Sequence, residues 1–246
     1  MPARPFLQRF TLLTGEEAAA SLEKCRVLVV GLGGVGSWCA EALVRSGVGN
    51  ISIVDSDTVC AGNINRQVQA LISTMGRLKT EALEERLKDI NPECAIRAFP
   101  KVFSKESSAD FDICGTDYVI DAIDTLTCKL DLIETALAAG KRLFSSMGMA
   151  GKLDPTLIRT TDIWDTAGCP LAKLVRQGLL KRGITGHFTA VYSAEKFIRR
   201  EPVERDEGKK IINGSAVTVT AAAGLVLASL VIRDICGRFP QPGGAL

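Results

Sequence analysis

Gly31, Gly33 and Gly36 stand in the order G-x-G-x-x-G, with Gly34 as an extra glycine among them. In such a motif the first glycine permits a tight turn and the second lets backbone N–H groups approach a phosphate. The third lets a helix pack closely on a strand while its amino terminus faces the anion. Asp55 ends the next apolar run, Asn50-Ile-Ser-Ile-Val54, where an acid would hold a ribose hydroxyl. Further groups follow on later connections: Asn63, Asn65, Arg66 and Gln67 in one stretch, then Lys79, then Asp124. A nicotinamide dinucleotide needs little cationic help for its bridging diphosphate. A triphosphate carries more charge and suits Arg and Lys clamps with a carboxylate for Mg²⁺. Arg66, Lys79 and Asp124 together therefore point to ATP with Mg²⁺.

These residues require particular elements beneath them. Arg26-Val-Leu-Val-Val30 is a short apolar run that reads as a buried parallel strand, and Ala40, Ala42, Leu43 and Val44 continue after the glycines at helical spacing. Asn50 to Val54 is the second strand, followed by a long polar connection from Asp55 to Gly76. The pattern then predicts a helix over 78–90, an edge strand over 95–99, a strand over 118–121, a helix over 130–139 and a strand over 142–145. Beyond Gly151 it predicts strands over 156–160 and 187–193, with a helix over 171–181 between them. Residues 199–210 read as a charged loop. Residues 1–25 form a helical lead-in in which Thr14 is expected to cap a helix, with Glu17 three residues later. Strands alternating with helices make an α/β, Rossmann-like, doubly wound and mostly parallel sheet. Further strands and a long apolar helix extend it at the carboxyl end. No linker marks a boundary, so residues 1–246 are expected to form a single domain.

Composition narrows the function classes. The net charge of +2 is neutral on chemistry, but the stretch from Lys173 to Lys210 holds ten Lys/Arg against five Asp/Glu, which suits an anionic partner. Eight cysteines show no C-x-x-C and only one histidine is present, which argues against zinc and for a reducing cytosol. The amino terminus has no apolar signal-peptide core. Residues 216–232 carry no charge, but seventeen residues are short for a membrane span, and the small residues Ala221 to Gly224 suit close packing in a core. His187 falls in a strand pattern and reads as structural. No Ser/His/Asp or Cys/His constellation is evident.

At Gly31-Leu-Gly-Gly-Val-Gly36, Asp55-Ser-Asp57, Asn63-Ile-Asn-Arg-Gln67, Gly76-Arg-Leu-Lys79 and Asp121-Ala-Ile-Asp124 the chain resembles the ThiF or ubiquitin-activating-type adenylating enzymes. The resemblance covers nearly the whole chain. It implies a homodimer that transfers AMP from ATP to a carboxylate. Arg9, just before Leu12-Leu-Thr-Gly15, matches the family arginine that reaches the triphosphate of the neighbouring subunit. Arg66 matches the second phosphate arginine, and Asp124 the magnesium carboxylate. Within the family the likeness is greatest to the tRNA threonylcarbamoyladenosine dehydratases. It is carried by Arg45-Ser-Gly-Val-Gly49, Lys152-Leu-Asp-Pro-Thr156, Cys169-Pro-Leu-Ala-Lys173 and Val191-Tyr-Ser-Ala-Glu195. That resemblance implies ATP-driven ring closure of N6-threonylcarbamoyladenosine in tRNA, in a cytoplasmic enzyme without zinc. Some relatives carry a cysteine just before the V-[YF]-S motif. Ala190 occupies that position here, and Cys169 is expected to be a buried or helix-start cysteine. Two alternatives stand beside this reading: an adenylyltransferase for the Gly-Gly end of a sulfur-carrier protein, and a nucleotide-binding module without turnover. The missing C-x-x-C counts against the first, and the intact Arg9, Arg66, Lys79 and Asp124 against the second.

Overall fold

A computed structural model describes residues 5–197 and 213–237. Two short helices, α1 (Gln8–Thr14) and α2 (Glu16–Lys24), lead into strand β1 (Arg26–Val30). The chain continues through α3 (Gly36–Arg45), β2 (Asn50–Val54), α4 (Lys79–Ile90), β3 (Ala95–Phe99), β4 (Tyr118–Asp121), α5 (Leu126–Ala138) and β5 (Arg142–Ser146). It ends with β6 (Ile158–Asp162), α6 (Pro170–Lys181), β7 (Thr189–Ser193) and α7 (Val217–Ile235). The seven strands form one sheet in the order β3-β2-β1-β4-β5-β7-β6. Every pairing is parallel except that of β6 with β7. β1 is buried from Val27 to Val30 because it lies between two parallel neighbours with helices on both faces.

One apolar layer gathers α3, α4 and α7 with residues such as Val29, Leu83, Ala223 and Leu227. The other gathers α5 and α6 with Leu28, Leu132, Val175 and Leu179. Strand order reverses between β1 and β4. Connections from β1 run outward through β2 and β3, and those from β4 run outward through β5. In open sheets of this order the ligand crevice lies at the carboxyl ends of the strands at the switch point, here β1 and β4.

α7 is long and apolar enough to cross a membrane by length and composition, yet here it is a core helix. Val219, Ala223, Leu227, Leu230 and Val231 are buried in the first layer. A Cβ on Gly224 would lie 2.4 Å from the Val35 carbonyl oxygen, so α7 crosses the start of α3 almost backbone to backbone.

Four local expectations are corrected. Thr14 does not cap a helix. Its hydroxyl donates back to the Phe10 carbonyl at 2.9 Å as the last residue of α1, and Gly15, at φ +87°, separates the two helices. α5 begins at Leu126 rather than 130, because extended Thr125 is the N-cap and the polar first turn is drawn inward by Lys129. β6 starts at Ile158, after a 3₁₀ turn over Pro155–Leu157 that Asp154 caps by accepting from Thr156 N at 2.8 Å. His187 precedes β7 on an exposed turn, its Nδ1 3.0 Å from Asp162 Oδ2. The charged loop expected over 199–210 lies outside the described residues.

Candidate nucleotide and acyl site

The glycine-rich turn is built from β1, α3 and the loop after β4. Gly31 has φ +90°, and a Cβ there would meet the Ala122 carbonyl oxygen at 2.7 Å. A Cβ on Gly36 would sit 1.8 Å from the Gly31 carbonyl oxygen. Both positions close strand, helix and loop against one another. Gly33 is different: no atom lies within 4 Å of the position its Cβ would take. It borders open space, a gap suited to a phosphate reached by backbone N–H groups. At Gly34 the Arg66 Cγ comes within 3.1 Å of the corresponding position, so the arginine stem lies over the turn.

Asp55 accepts from Leu32 N at 2.7 Å through one oxygen and from Asp57 N at 2.9 Å through the other. A carboxylate has about four acceptor sites, so capacity for ribose hydroxyls remains. The Arg66 guanidinium donates to the Gly62 carbonyl at 2.8 Å and to Asn65 Oδ1 at 2.9 Å, and it has no ion pair among the described residues. Trp38 Nε1 donates to the Arg66 carbonyl at 2.9 Å and fixes this loop on α3. Asp124 is exposed and has no cation partner among the described residues. Its one described contact is the Thr125 hydroxyl at 3.4 Å.

Other expected site residues have local duties. Lys79 is buried, with Nζ 2.7 Å from Asp57 Oδ2 and 3.7 Å from Asp55 Oδ1, so its charge is already matched by these two carboxylates. Asn63 accepts from Cys60 N at 3.2 Å, and Gln67 is buried beside Gln69. Asn65 Nδ2 donates to the Ser215 carbonyl at 2.9 Å, while the adjacent Gly214 carbonyl accepts from Gly151 N at 2.8 Å. These two carbonyls join the Asn65 loop to the turn after β5. Arg9 stands apart. It is exposed on α1, two residues after Leu7, whose side chain packs on Gly47 just past the end of α3. That is the amino-terminal edge of the sheet, opposite the crevice, so Arg9 is placed away from the site of its own chain.

A buried ionic group beneath the crevice is invisible in the sequence. Lys129 and Asp121, both 0% exposed, are paired at 2.8 Å. The same Asp121 oxygen accepts from Ser145 Oγ at 2.6 Å, and its other oxygen accepts from Ile123 N at 3.1 Å. Lys129 also donates to the Ile123 carbonyl at 2.9 Å. The loop that carries Asp124 is thereby held from below. Gln69, also missed, donates from Nε2 to the Leu32 carbonyl at 2.8 Å and braces the glycine turn. Only its place shortly after Asn65-Arg-Gln67 could have signalled it. Cys169 is buried at the N-cap of α6, a structural placement.

A family model for the ThiF family matches residues 7–244. The chain belongs to the ThiF family. Among curated relatives, the tRNA threonylcarbamoyladenosine dehydratase of Bacillus subtilis is 40% identical over 236 residues, covering 92% of this chain and 93% of that protein. The Haemophilus influenzae enzyme of the same name is 37% identical, covering 89% and 88%. A solved structure of the Escherichia coli dehydratase in complex with ATP superposes with a TM-score of 0.85 at 35% identity, covering 96% of this chain and 97% of that one. The family's adenylyltransferase-sulfurtransferases match over less: one from Candida glabrata is 35% identical but covers 60% of this chain and 34% of its own length.

Proposed function

We propose that this protein uses ATP to dehydrate N6-threonylcarbamoyladenosine in tRNA, closing a ring through an acyl-adenylate. The observation that carries the proposal is an open glycine cradle at Gly33 beside an arginine, Arg66, and an exposed carboxylate, Asp124, neither of which has an ion pair among the described residues. Those groups suit a triphosphate, and the likeness to named dehydratases supplies the acyl substrate. The threonyl carboxylate oxygen attacks the α-phosphorus and diphosphate leaves. A nitrogen or oxygen of the neighbouring ureido group then attacks the acyl carbon, AMP leaves with the bonding pair, and the ureido proton is released to water. The nucleophile is part of the substrate, so proximity replaces a protein nucleophile. Gly33 and Gly34 seat the phosphates over the turn that Gly31 and Gly36 close, Asp55 binds the ribose, and Arg66 and Lys79 face the charge that builds toward diphosphate. Lys79, held by Asp57 and near Asp55, would contribute its charge from that position. Mg²⁺ held by Asp124 would supply further neutralisation of the phosphates.

The whole chain works as one adenylation domain in the cytoplasm. Arg9 serves the neighbouring subunit of a homodimer, in keeping with its place at the opposite edge. The basic stretch from Lys173 onward would meet tRNA phosphates. Within its described part, Arg176 is spent on Thr166, and Arg182 on Asp131 and Glu134. Lys173, Lys181 and Lys196 are exposed and available.

The test is incubation with ATP, Mg²⁺ and tRNA bearing the modified nucleoside, followed by mild digestion and mass measurement. The nucleoside is expected to lose the mass of one water as AMP forms. Unchanged mass with ATP-binding protein overturns the proposal. AMP formed instead with a Gly-Gly-ended carrier protein transfers it to the sulfur-carrier reading.

A further inference from the structure

Lys152 is 3% exposed, at the carboxyl edge of the sheet, just past the turn that leaves β5. Its ammonium donates to the carbonyl of Ser193, the last residue of β7, at 2.7 Å. An ammonium has three donors, and this is the one bond described for it. No carboxylate lies within ion-pair distance among the described residues. Glu195 is near, but its oxygens accept from Leu153 N at 3.0 Å and Asp154 N at 2.9 Å. The amino terminus of α6, twelve residues long, starts beside the same turn. The position of a Cβ on Gly148 lies 3.5 Å from Leu171 Cβ and 3.9 Å from Cys169 Sγ. The Cys169 side chain makes no capping bond, and Pro170 has no N–H, so Leu171 and Ala172 present the first amides of α6.

We propose that Lys152 and the amino terminus of α6 form the subsite that receives the carboxylate of the acyl substrate. Lys152 and the start of α6 border the same turn, and no described carboxylate pairs with the ammonium, Glu195 being engaged by the Leu153 and Asp154 amides. A buried unpaired charge is costly, and a helix terminus favours a negative guest. Strand order agrees. Asp55 lies past β2 and Asp124 past β4, while Lys152 lies past β5 on the far side of the switch point from the ribose acid. A nucleotide spread from Asp55 across the glycine turn would bring its α-phosphorus toward this side. Burial pushes the Lys152 ammonium below its ordinary range, with Cys169 and Glu195 acting the other way, and a bound carboxylate would raise it again. The inference rests on the proposed function for the identity of the carboxylate, that of the threonyl arm.

The full chain, labelled at lysine side chains, is titrated with free N6-threonylcarbamoyladenosine and with its carboxyl methyl ester. The Lys152 signal is assigned by its loss in Lys152→Met. The acid is expected to raise the Lys152 titration midpoint and the ester to leave it in place. Lys152→Met is expected to bind the acid about tenfold or more weakly, with ATP affinity unchanged within about twofold. Lys152→Arg is expected to restore part of the preference for acid over ester, because the charge is retained. Equal binding of acid and ester by wild type, or of acid by wild type and a folded Lys152→Met, overturns the subsite. Should Lys152→Met not fold, the wild-type contrast of acid and ester decides alone. A second arm uses diglycine and its amide. A Lys152 response to diglycine acid without one to the nucleoside keeps the subsite and overturns the tRNA substrate. Product formation by a folded Lys152→Met with undiminished affinity for the acid does the reverse.

Discussion

The crevice has a floor and a rim, and their polar groups behave differently. On the floor, Asp121, Lys129, Ser145 and the Ile123 backbone satisfy one another, and Gly31 and Gly36 admit no added atom. On the rim, Gly33 borders open space, Asp124 and Arg66 lack ionic partners among the described residues, and Lys152 is buried with a neutral carbonyl. A closed set of interactions marks architecture, whereas an open set marks where a ligand completes the structure. Like residues fall on both sides of this division, Lys129 against Lys152 and Gly36 against Gly33, so residue type alone does not assign a role.

The largest expected effect tests the floor. Gly36→Ala forces a Cβ into the Gly31 carbonyl and is expected to cost more than about 4 kcal/mol, leaving little folded protein by circular dichroism. Gly33→Ala meets no neighbour and is expected to stay within about 1 kcal/mol of wild type, while ATP binding by calorimetry weakens. Similar losses of stability in the two variants would erase the distinction.

Lys129→Met leaves Asp121 buried and unpaired and is expected to cost about 3–5 kcal/mol in urea unfolding. Adding Asp121→Leu is expected to recover part of that. Lys152→Met removes a charge that has no ion pair among the described residues, and its unfolding free energy is expected to change by less than about 1 kcal/mol or to rise. A Lys152→Met loss as large as that of Lys129→Met would place Lys152 on the floor.

The strands were legible because parallel strands covered on both faces must be apolar throughout, as Val27 to Val30 are. The glycine turn was legible because its spacing answers to backbone geometry. The floor was hidden: Lys129 reads in sequence as a surface lysine, and only folding brings Asp121 and Ser145 to it. For the same reason the sequence pattern began α5 at 130, after that lysine, although the helix starts at Leu126. Lys79 was read as free to clamp phosphate, whereas it is bound to Asp57. Thr14 failed as a cap because a hydroxyl at a helix end can also bond backward within its own turn.

A smaller effect concerns the far end of α3, which carries Gly36 at its start. Burial raises the Glu41 pKa, but hydrogen bonds and charge from Arg86 and Arg45 outweigh it, and the net position is below the ordinary value. A depressed carboxylate stabilises above its unfolded pKa, near 4.3, and loses that contribution as pH falls through the folded value. Glu41→Gln is expected to flatten the stability profile below about pH 4.5 by on the order of 1 kcal/mol in acid unfolding. An unchanged acid limb would show that the two arginines do not hold α3.

Gly214 and Ser215 are consecutive, and their carbonyls hold Gly151 on the acyl side and Asn65 on the nucleotide side. A peptide spans only about 3.8 Å between successive Cα atoms, so neither anchor shifts without pulling on the other. If ATP and the acyl substrate bind at the two sides proposed above, this strap would couple them, and any such coupling is reciprocal. Whatever factor ATP applies to the acyl substrate, the acyl substrate must apply to ATP. Asn65→Ala, which cuts one end of the strap, is expected to bring both factors toward one together in a four-sided binding cycle.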